Sequence, residues 1–170
     1  NECATDPCQN GAVCTDSNTD FEVSYGAYRC KCKPGFANGI CDYDFLEEYT
    51  DECGVWDWLP TGDKSTWSGT CDLDVNECVA NPCENGAVCT DSNNDTSIPH
   101  NEFRCTCKPG FANGVCDYDF LTEYTDECEV ATGGTCNLDV NECAANPCQN
   151  QAVCTDSNND TSIPHNEFRC

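Results

Sequence analysis

Cysteine placement constrains this chain more than any other feature. Twenty cysteines occur in 170 residues, and they recur in a fixed order. The first eight are Cys3, Cys8, Cys14, Cys30, Cys32, Cys41, Cys53 and Cys71. The next eight are Cys78, Cys83, Cys89, Cys105, Cys107, Cys116, Cys128 and Cys136. A third set comprises Cys143, Cys148, Cys154 and Cys170. Leu, Ile, Val and Phe together number only 25, about 15% of the chain, too few to offset backbone entropy of roughly 1–2 kcal/mol per residue. Cross-links must supply what the core lacks, at on the order of 2–4 kcal/mol each. So many cysteines imply an oxidising, extracellular or secretory setting. Zinc ribbons need paired C-x2-C units. Here the tight pair is C-x-C, at Cys30/Cys32 and Cys105/Cys107.

Charge narrows the function classes. The chain has 31 Asp+Glu against 7 Lys+Arg, a formal net charge of −24. That excludes the phosphate-neutralising surface a nucleic-acid binder needs and disfavours anionic membranes. It favours divalent cations, basic partners or simple solubility. No nucleophile elbow, phosphate loop or HExxH is present, so no enzyme is expected. No signal peptide or membrane-spanning run is visible. The chain begins at "NEC" and lacks Met, which suggests a window from a longer mature protein.

Residues 74–105 and 139–170 agree at 29 of 32 positions. They differ only at Val79/Ala144, Glu84/Gln149 and Gly86/Gln151. The step from Cys3 to Cys78 is longer than the step from Cys78 to Cys143. Within a repeat, "AVCTDS" and "NEFRCTC" read as the strands of a hairpin with its polar tip at Asn93–His100. "KPGFANG" reads as a turn shaped by Pro109, Gly110 and Gly114. "DYDFLTEYTDEC" places Tyr118, Leu121 and Thr125 on one face, with Phe120 and Tyr124 beside it. A short amphipathic helix or an irregular stapled segment fits that pattern, its aromatics packing on an adjoining unit. His100 and His165 each follow a proline in a polar loop and read as solvated.

The spacing C-x4-C-x5-C-x15-C-x-C-x8-C, with "NGAVC" before the third cysteine and "CKPGFANGVC" closing the set, resembles the epidermal growth factor (EGF)-like domain. The resemblance runs from the first cysteine of each complete unit to the sixth. Laminin-type EGF modules also have eight cysteines but begin with C-x-C, unlike this chain. The fold expected is small and disulfide-rich: tandem EGF-like domains with short β-hairpins in an extended, rod-like array. The expected divisions are EGF-like 1 at 1–41, a linker at 42–73, EGF-like 2 at 74–116, a linker at 117–138 and a truncated EGF-like 3 at 139–170. Eight cysteines allow 105 pairings, and the sequence itself does not choose among them. The resemblance implies first with third, second with fourth and fifth with sixth. That gives Cys3–Cys14, Cys8–Cys30, Cys32–Cys41, Cys78–Cys89, Cys83–Cys105 and Cys107–Cys116. It leaves Cys53–Cys71 and Cys128–Cys136, with Cys143–Cys154 and Cys148–Cys170 in the third unit.

Two stretches, "DLDVNEC" and "NLDVNEC", crowd carboxylates just before a cysteine. They resemble the calcium-binding EGF subclass, which has Asp/Asn-x-Asp/Asn-Glu/Gln before the first cysteine. The resemblance implies Ca²⁺ ligands Asp74, Val75 (through its carbonyl), Glu77 and Asp91 in one unit, with Phe103 as the accompanying aromatic. In the next it implies Asp139, Val140, Glu142 and Asp156, with Phe168. Asn76 and Asn141 complete the two motifs, and unit 1 retains Asn1, Glu2 and Asp16. Hard oxygen ligands mixing carboxylates and carbonyls suit Ca²⁺, at an affinity of roughly 10⁻⁴–10⁻³ M. The hairpin is longer than the subclass usually carries, with all of 92–102 lying between Asp91 and Phe103.

Asn94-Asp95-Thr96 and Asn159-Asp160-Thr161 are N-glycosylation sequons at hairpin tips. Unit 1 has no sequon there. Its gap between seventh and eighth cysteines, 54–70, is longer than the 129–135 of unit 2 and holds all three tryptophans. Trp56, Trp58 and Trp67 are candidate contacts for another chain or a glycan. The plainer expectation is that their loop folds back over local surface. Near-identical repeats favour an extracellular fibre or filament, with partners being copies of itself or related fibre proteins and N-linked glycans. EGF-repeat proteins of algal flagellar hairs (mastigonemes) are the similar case. The alternative is an adhesion or receptor ectodomain, and a weaker one is a calcium-handling matrix protein.

Overall fold

In the computed structural model, residues 1–54 and 69–170 are described. The candidate contacts Trp56, Trp58 and Trp67 lie outside them. The chain forms two compact units, Asn1–Glu77 and Cys78–Cys170. It is a small disulfide-rich, strand-rich fold held by ten disulfides.

Each unit is built on a hairpin. In unit 1, Val13–Asp16 pairs antiparallel with Tyr28–Lys31, setting Cys14 opposite Cys30. In unit 2, Val88–Asp91 pairs with Phe103–Cys107 in the same register, Cys89 opposite Cys105. A third hairpin joins Thr155–Asp156 to Phe168–Arg169. The expected polar tip holds a buried aliphatic: Val23, Ile98 and Ile163 are each at most 5% exposed. The lengthened tip therefore folds on itself. The Asp91 carbonyl accepts from the Asn94 and Asp95 N–H groups, and Ile98 N–H donates to the Asp95 carbonyl (3.0, 3.2 and 2.9 Å).

Six disulfides follow the pairing that the resemblance implies, in the hairpin half of each module. The other four do not. Cys32–Cys41, Cys53–Cys71, Cys107–Cys116 and Cys128–Cys136 are replaced by Cys32–Cys71 around Cys41–Cys53, and by Cys107–Cys136 around Cys116–Cys128. The eighth cysteine, not the sixth, closes the module. Residues 42–54 and 117–135 thus lie within the disulfide frame as arms instead of linking separate modules.

Local bonding explains the nested arrangement. Glu84 N–H donates to the Thr135 carbonyl (2.8 Å) and Asn85 Nδ2 to the Cys136 carbonyl (2.9 Å), drawing the eighth cysteine back to the start of its module. Gln9 and Asn10 do the same to Thr70 and Cys71 at 2.7 and 2.8 Å. The chain then crosses the bridge at a glycine. A Cβ on Gly114 would sit 2.6 Å from Cys136 Sγ and 2.7 Å from Cys107 Sγ, and Gly39 stands at the same distances from Cys71 and Cys32. Beyond it, Asn113 and Gly114 N–H groups both donate to the Glu127 carbonyl (2.8 and 3.0 Å), which seats Cys128 beside Cys116.

The arm is neither wholly helical nor wholly irregular. Thr122–Tyr124 is a 3₁₀ turn and Thr125–Cys128 a single helical turn. Phe120, Leu121 and Tyr124 pack against Ala112, Cys128 and Val140. In unit 1, Phe45, Leu46 and Tyr49 lie against a cluster that includes Val75. The segment leading into the next module is therefore bonded to the arm before it. Leu138–Asp139 pairs with Phe111–Ala112, and Leu73–Asp74 with Phe36–Ala37.

Candidate metal centre

The four residues expected as ligands in the third repeat all lie in unit 2. Strand pairing places Asp139 opposite Phe111. Val140 is 3% exposed, and its N–H donates to the Gly110 carbonyl at 2.8 Å. Asn141 turns its own side chain back, Oδ1 accepting from Cys143 N–H at 2.9 Å. Glu142 follows, 8% exposed. The Cys143–Cys154 disulfide ties this segment to the strand carrying Asp156, which is fully buried. Asp156 Oδ1 accepts from Asn158 N–H (3.0 Å) and Asn159 Nδ2 (3.2 Å).

The remaining carboxylate oxygens test the fit to a cation. Asp156 Oδ2, Asp139 Oδ1 and both Glu142 oxygens are buried with no hydrogen-bond partner. Buried carboxylates without partners are strongly unfavourable and call for an explanation. Burial pushes the Glu142 carboxyl above its ordinary value, and the nearby Asp139 and Asp156 charges push it further. Burial also raises Asp139, with Asp156 adding to it and His165 opposing. The three acids thus repel one another as well as being desolvated. A divalent cation removes both penalties. The expected donor set is all oxygen, three carboxylates and the Val140 carbonyl, a chemistry that suits Ca²⁺ and not a softer metal. Among the described residues no three His, Cys, Asp or Glu side chains are grouped closely enough to hold a metal by themselves. Closure round a cation would therefore need main-chain oxygens and some inward movement of side chains that now repel.

The other expected ligands are described within their own units. Val75 (2% exposed) and Glu77 (8%) are buried in unit 1, where Asp74 pairs opposite Phe36. Asp91, in unit 2, is 2% exposed and its Oδ1 has no partner. Asp16 of unit 1 is likewise buried, its Oδ1 accepting from Asn18 N–H, Thr19 N–H and Thr19 Oγ1.

Two residues act here that the sequence reading did not assign to the site. His165, expected to be solvated, has Nδ1 3.3 Å from Asp139 Oδ2, and its ring lies 4.5 Å from that of Phe111. Tyr124 accepts a hydrogen bond from Asn141 N–H at 2.9 Å. The recurrence of "EYTDEC" in both complete repeats was the available signal for the tyrosine.

Asn94 and Asn159, the sequon asparagines, are exposed. Beside Glu142, a depression of about 210 Å³ is lined by Tyr118, Phe120, Val140 and Phe168 among others. That is below the roughly 300–1,000 Å³ of small-molecule pockets. Among the described residues, no helix is long and apolar enough to cross a membrane.

Comparison with known proteins agrees with this architecture. Residues 3–50 match the family described as EGF-like domain. Over 157 residues, 91% of the chain, it is 31% identical to EGF-like repeat and discoidin I-like domain-containing protein 3 of Mus musculus, of which it spans 23%. It is 35% identical over 89 residues to neurogenic locus notch homolog protein 1 of Xenopus tropicalis, covering 51% of the chain and 2% of that protein. It is 33% identical over 89 residues to Delta-like protein 4 of Rattus norvegicus, covering 52% of the chain and 9% of that protein. The chain thus spans less than a quarter of the length of these relatives. Residues 3–50 are similar to the EGF-like domain, and the chain as a whole is similar to segments of EGF-repeat proteins.

Proposed function

We propose that this chain is a non-catalytic structural segment of an extracellular protein, in which calcium-braced, N-glycosylated EGF-like modules repeat to build a fibre or filament. The observation that carries this reading is replication. Both complete modules keep the same nested arm and glycine crossing, although the gap between seventh and eighth cysteines differs in length. A segment selected for constant geometry would repeat in this way. The partners of such a fibre are further copies or related chains, as in mastigoneme-type proteins.

Calcium in this reading is held by Asp139, Glu142, Asp156 and the Val140 carbonyl, and Asp74, Val75 and Glu77 of unit 1 carry the same motif. The bound ion supplies charge neutralisation and a rigid cross-link. The protein's own residues supply the oxygens and exclude water. Glycans on Asn94 and Asn159 would coat the hairpin tips, and peptide mapping that finds both unmodified in native material would remove that element. Trp56, Trp58 and Trp67 remain candidate contacts. Unchanged assembly after Trp56→Ala with Trp58→Ala would assign them to local packing.

The second reading is an adhesion or receptor ectodomain. It is favoured by the similarity to notch homolog protein 1 and Delta-like protein 4. Electron microscopy of native material before and after a chelator separates the two. Regular filaments that loosen in chelator support the fibre, whereas isolated particles support the ectodomain.

A further inference from the structure

The arm between the sixth and seventh cysteines carries a tyrosine that bonds to the following module's lead-in segment. Tyr124 lies at the end of the 3₁₀ turn Thr122–Tyr124, inside the Cys116–Cys128 loop. Its hydroxyl oxygen accepts the main-chain N–H of Asn141 at 2.9 Å. Unit 1 repeats the contact independently: the Tyr49 hydroxyl accepts Asn76 N–H, also at 2.9 Å. In both places the tyrosine follows the same local turn. Tyr124 N–H donates to the Leu121 carbonyl and Tyr49 N–H to the Leu46 carbonyl, each at 2.9 Å.

The bonded amide is informative. Asn141 N–H shares a peptide unit with the Val140 carbonyl. A trans peptide is planar, with its N–H and C=O pointing in opposite directions. Holding the Asn141 N–H therefore fixes the direction of the Val140 carbonyl oxygen. The preceding peptide is pinned as well, because Val140 N–H donates to the Gly110 carbonyl at 2.8 Å. Val140 itself is clamped by Phe120, Leu121 and Tyr124. Both peptide planes flanking Val140 are thus set from the preceding module, next to Asp139 and Glu142, which carry buried oxygens without partners.

We infer that the Tyr124 phenol is a positioning residue that orients the Val140 carbonyl as a cation ligand, so that the disulfide-closed arm of one module tunes the calcium affinity of the next. Within unit 1, Tyr49 fixes the direction of the Val75 carbonyl in the same way, through Asn76 N–H. This rests on the calcium reading above. It adds a role for the two cysteines by which each repeat exceeds the six of the EGF-like pattern. The Cys116–Cys128 loop holds the tyrosine in place, and Thr125 Oγ1, donating to the Thr122 carbonyl at 2.7 Å, steadies the same turn.

The test is Tyr124→Phe in the full chain, which removes the hydroxyl and keeps the ring packing. Tyr25→Phe, at a fully exposed ring, is the control. Calcium titration followed through the amide resonances of Asn141, Glu142 and Asp156 gives an affinity specific to this site. Hydrogen exchange at Asn141 in chelator reports the bond itself, without calcium. The expected result is faster exchange at Asn141 and a dissociation constant weakened roughly threefold to tenfold, the range for one lost neutral hydrogen bond. The control should be unchanged. Wild-type affinity in Tyr124→Phe, with faster exchange at Asn141, would overturn the inference while leaving the calcium reading intact. Absence of saturable calcium shifts in the wild type would overturn the calcium reading, and the inference with it.

Discussion

The hairpin half and the arm half of one module, residues 78–105 and 107–136, are held together in different ways. The hairpin is a local object. Four cross-strand pairs set its register, and its tip is closed by bonds between near neighbours in sequence. The arm contains little regular structure: the turns at Thr122–Cys128 and two two-residue strands, Phe111–Ala112 and Val115–Cys116, the latter lying parallel to Thr106–Cys107. Its shape comes from two nested disulfides and from bonds between residues far apart in the chain, such as Glu127 to Asn113 and Asn85 to Cys136. A hairpin can form before the module is complete. The arm forms only when both of its ends are in place, and the arm, not the hairpin, bonds to the next lead-in segment.

Breaking the outer bridge should therefore separate the two halves most clearly. Cys107→Ser with Cys136→Ser should cost about 4 kcal/mol, and removal of the inner pair Cys116–Cys128 about 3 kcal/mol, from the loop each closes. Urea titration monitored by amide exchange should show the arm opening while the hairpin amides of Val88–Asp91 remain protected. Next in size is the glycine crossing. Gly114→Ala pushes a methyl group into the Cys107–Cys136 bridge and should destabilise by about 2–3 kcal/mol. Gly133→Ala, at φ +75° with open space around it, should lose only about 1 kcal/mol for its left-handed backbone. Equal losses in thermal unfolding would mean the crossing is looser than described.

Calcium should sharpen the contrast by acting on the arm–module junction and not on the hairpin tip. At about 100 times its dissociation constant, a bound ion adds about 2.7 kcal/mol to whatever it stabilises. Exchange protection should rise at residues 139–142 and stay unchanged at the hairpin-tip amide of Ile98.

The smallest expected effect is in pH dependence, where the two regions should have opposite signs. Asp95 in the hairpin tip is held below its ordinary value by the Ser97 backbone and side-chain hydrogen bonds and by Arg104. Its contribution is present above the unfolded value of 3.8 and is lost as pH falls through the depressed folded value. Glu142 is raised, first by burial and then by Asp139 and Asp156. Without calcium, the folded state there binds more protons than the unfolded state. Stability at residues 139–142 should then fall as pH rises from the ordinary carboxylate value of 4.5 through the raised one. Bound calcium should abolish that slope. A slope of the same sign in both regions, measured by exchange in chelator, would contradict this.

The same division explains what the sequence made legible. Hairpin strands and the acidic lead-in were readable because alternation and local motif encode them, whereas the hairpin cysteine pairing was available only as what the EGF-like resemblance implies. Asp139, Glu142 and Asp156 were named from the resemblance to the calcium-binding subclass, and the structure shows each of them carrying a buried carboxylate oxygen. The arm pairing was not readable, since fifth-to-sixth and fifth-to-eighth bridges leave the same spacing pattern. What decides between them is contact at a distance: Gly114 beneath two sulfurs, and Asn85 reaching Cys136. The buried Ile98 within a polar string was hidden by its neighbours, and His165 by the lack of a second histidine nearby. Tyr124 read as an apolar-face residue, and its hydroxyl contact appears only once the arm is folded.

The most direct measurement is disulfide mapping of the native chain by partial reduction, differential alkylation and mass spectrometry. The predicted result is Cys107–Cys136 with Cys116–Cys128, and Cys32–Cys71 with Cys41–Cys53. Recovery of Cys107–Cys116 with Cys128–Cys136 would contradict it, returning residues 117–138 to the status of a linker and removing the brace on the proposed calcium site.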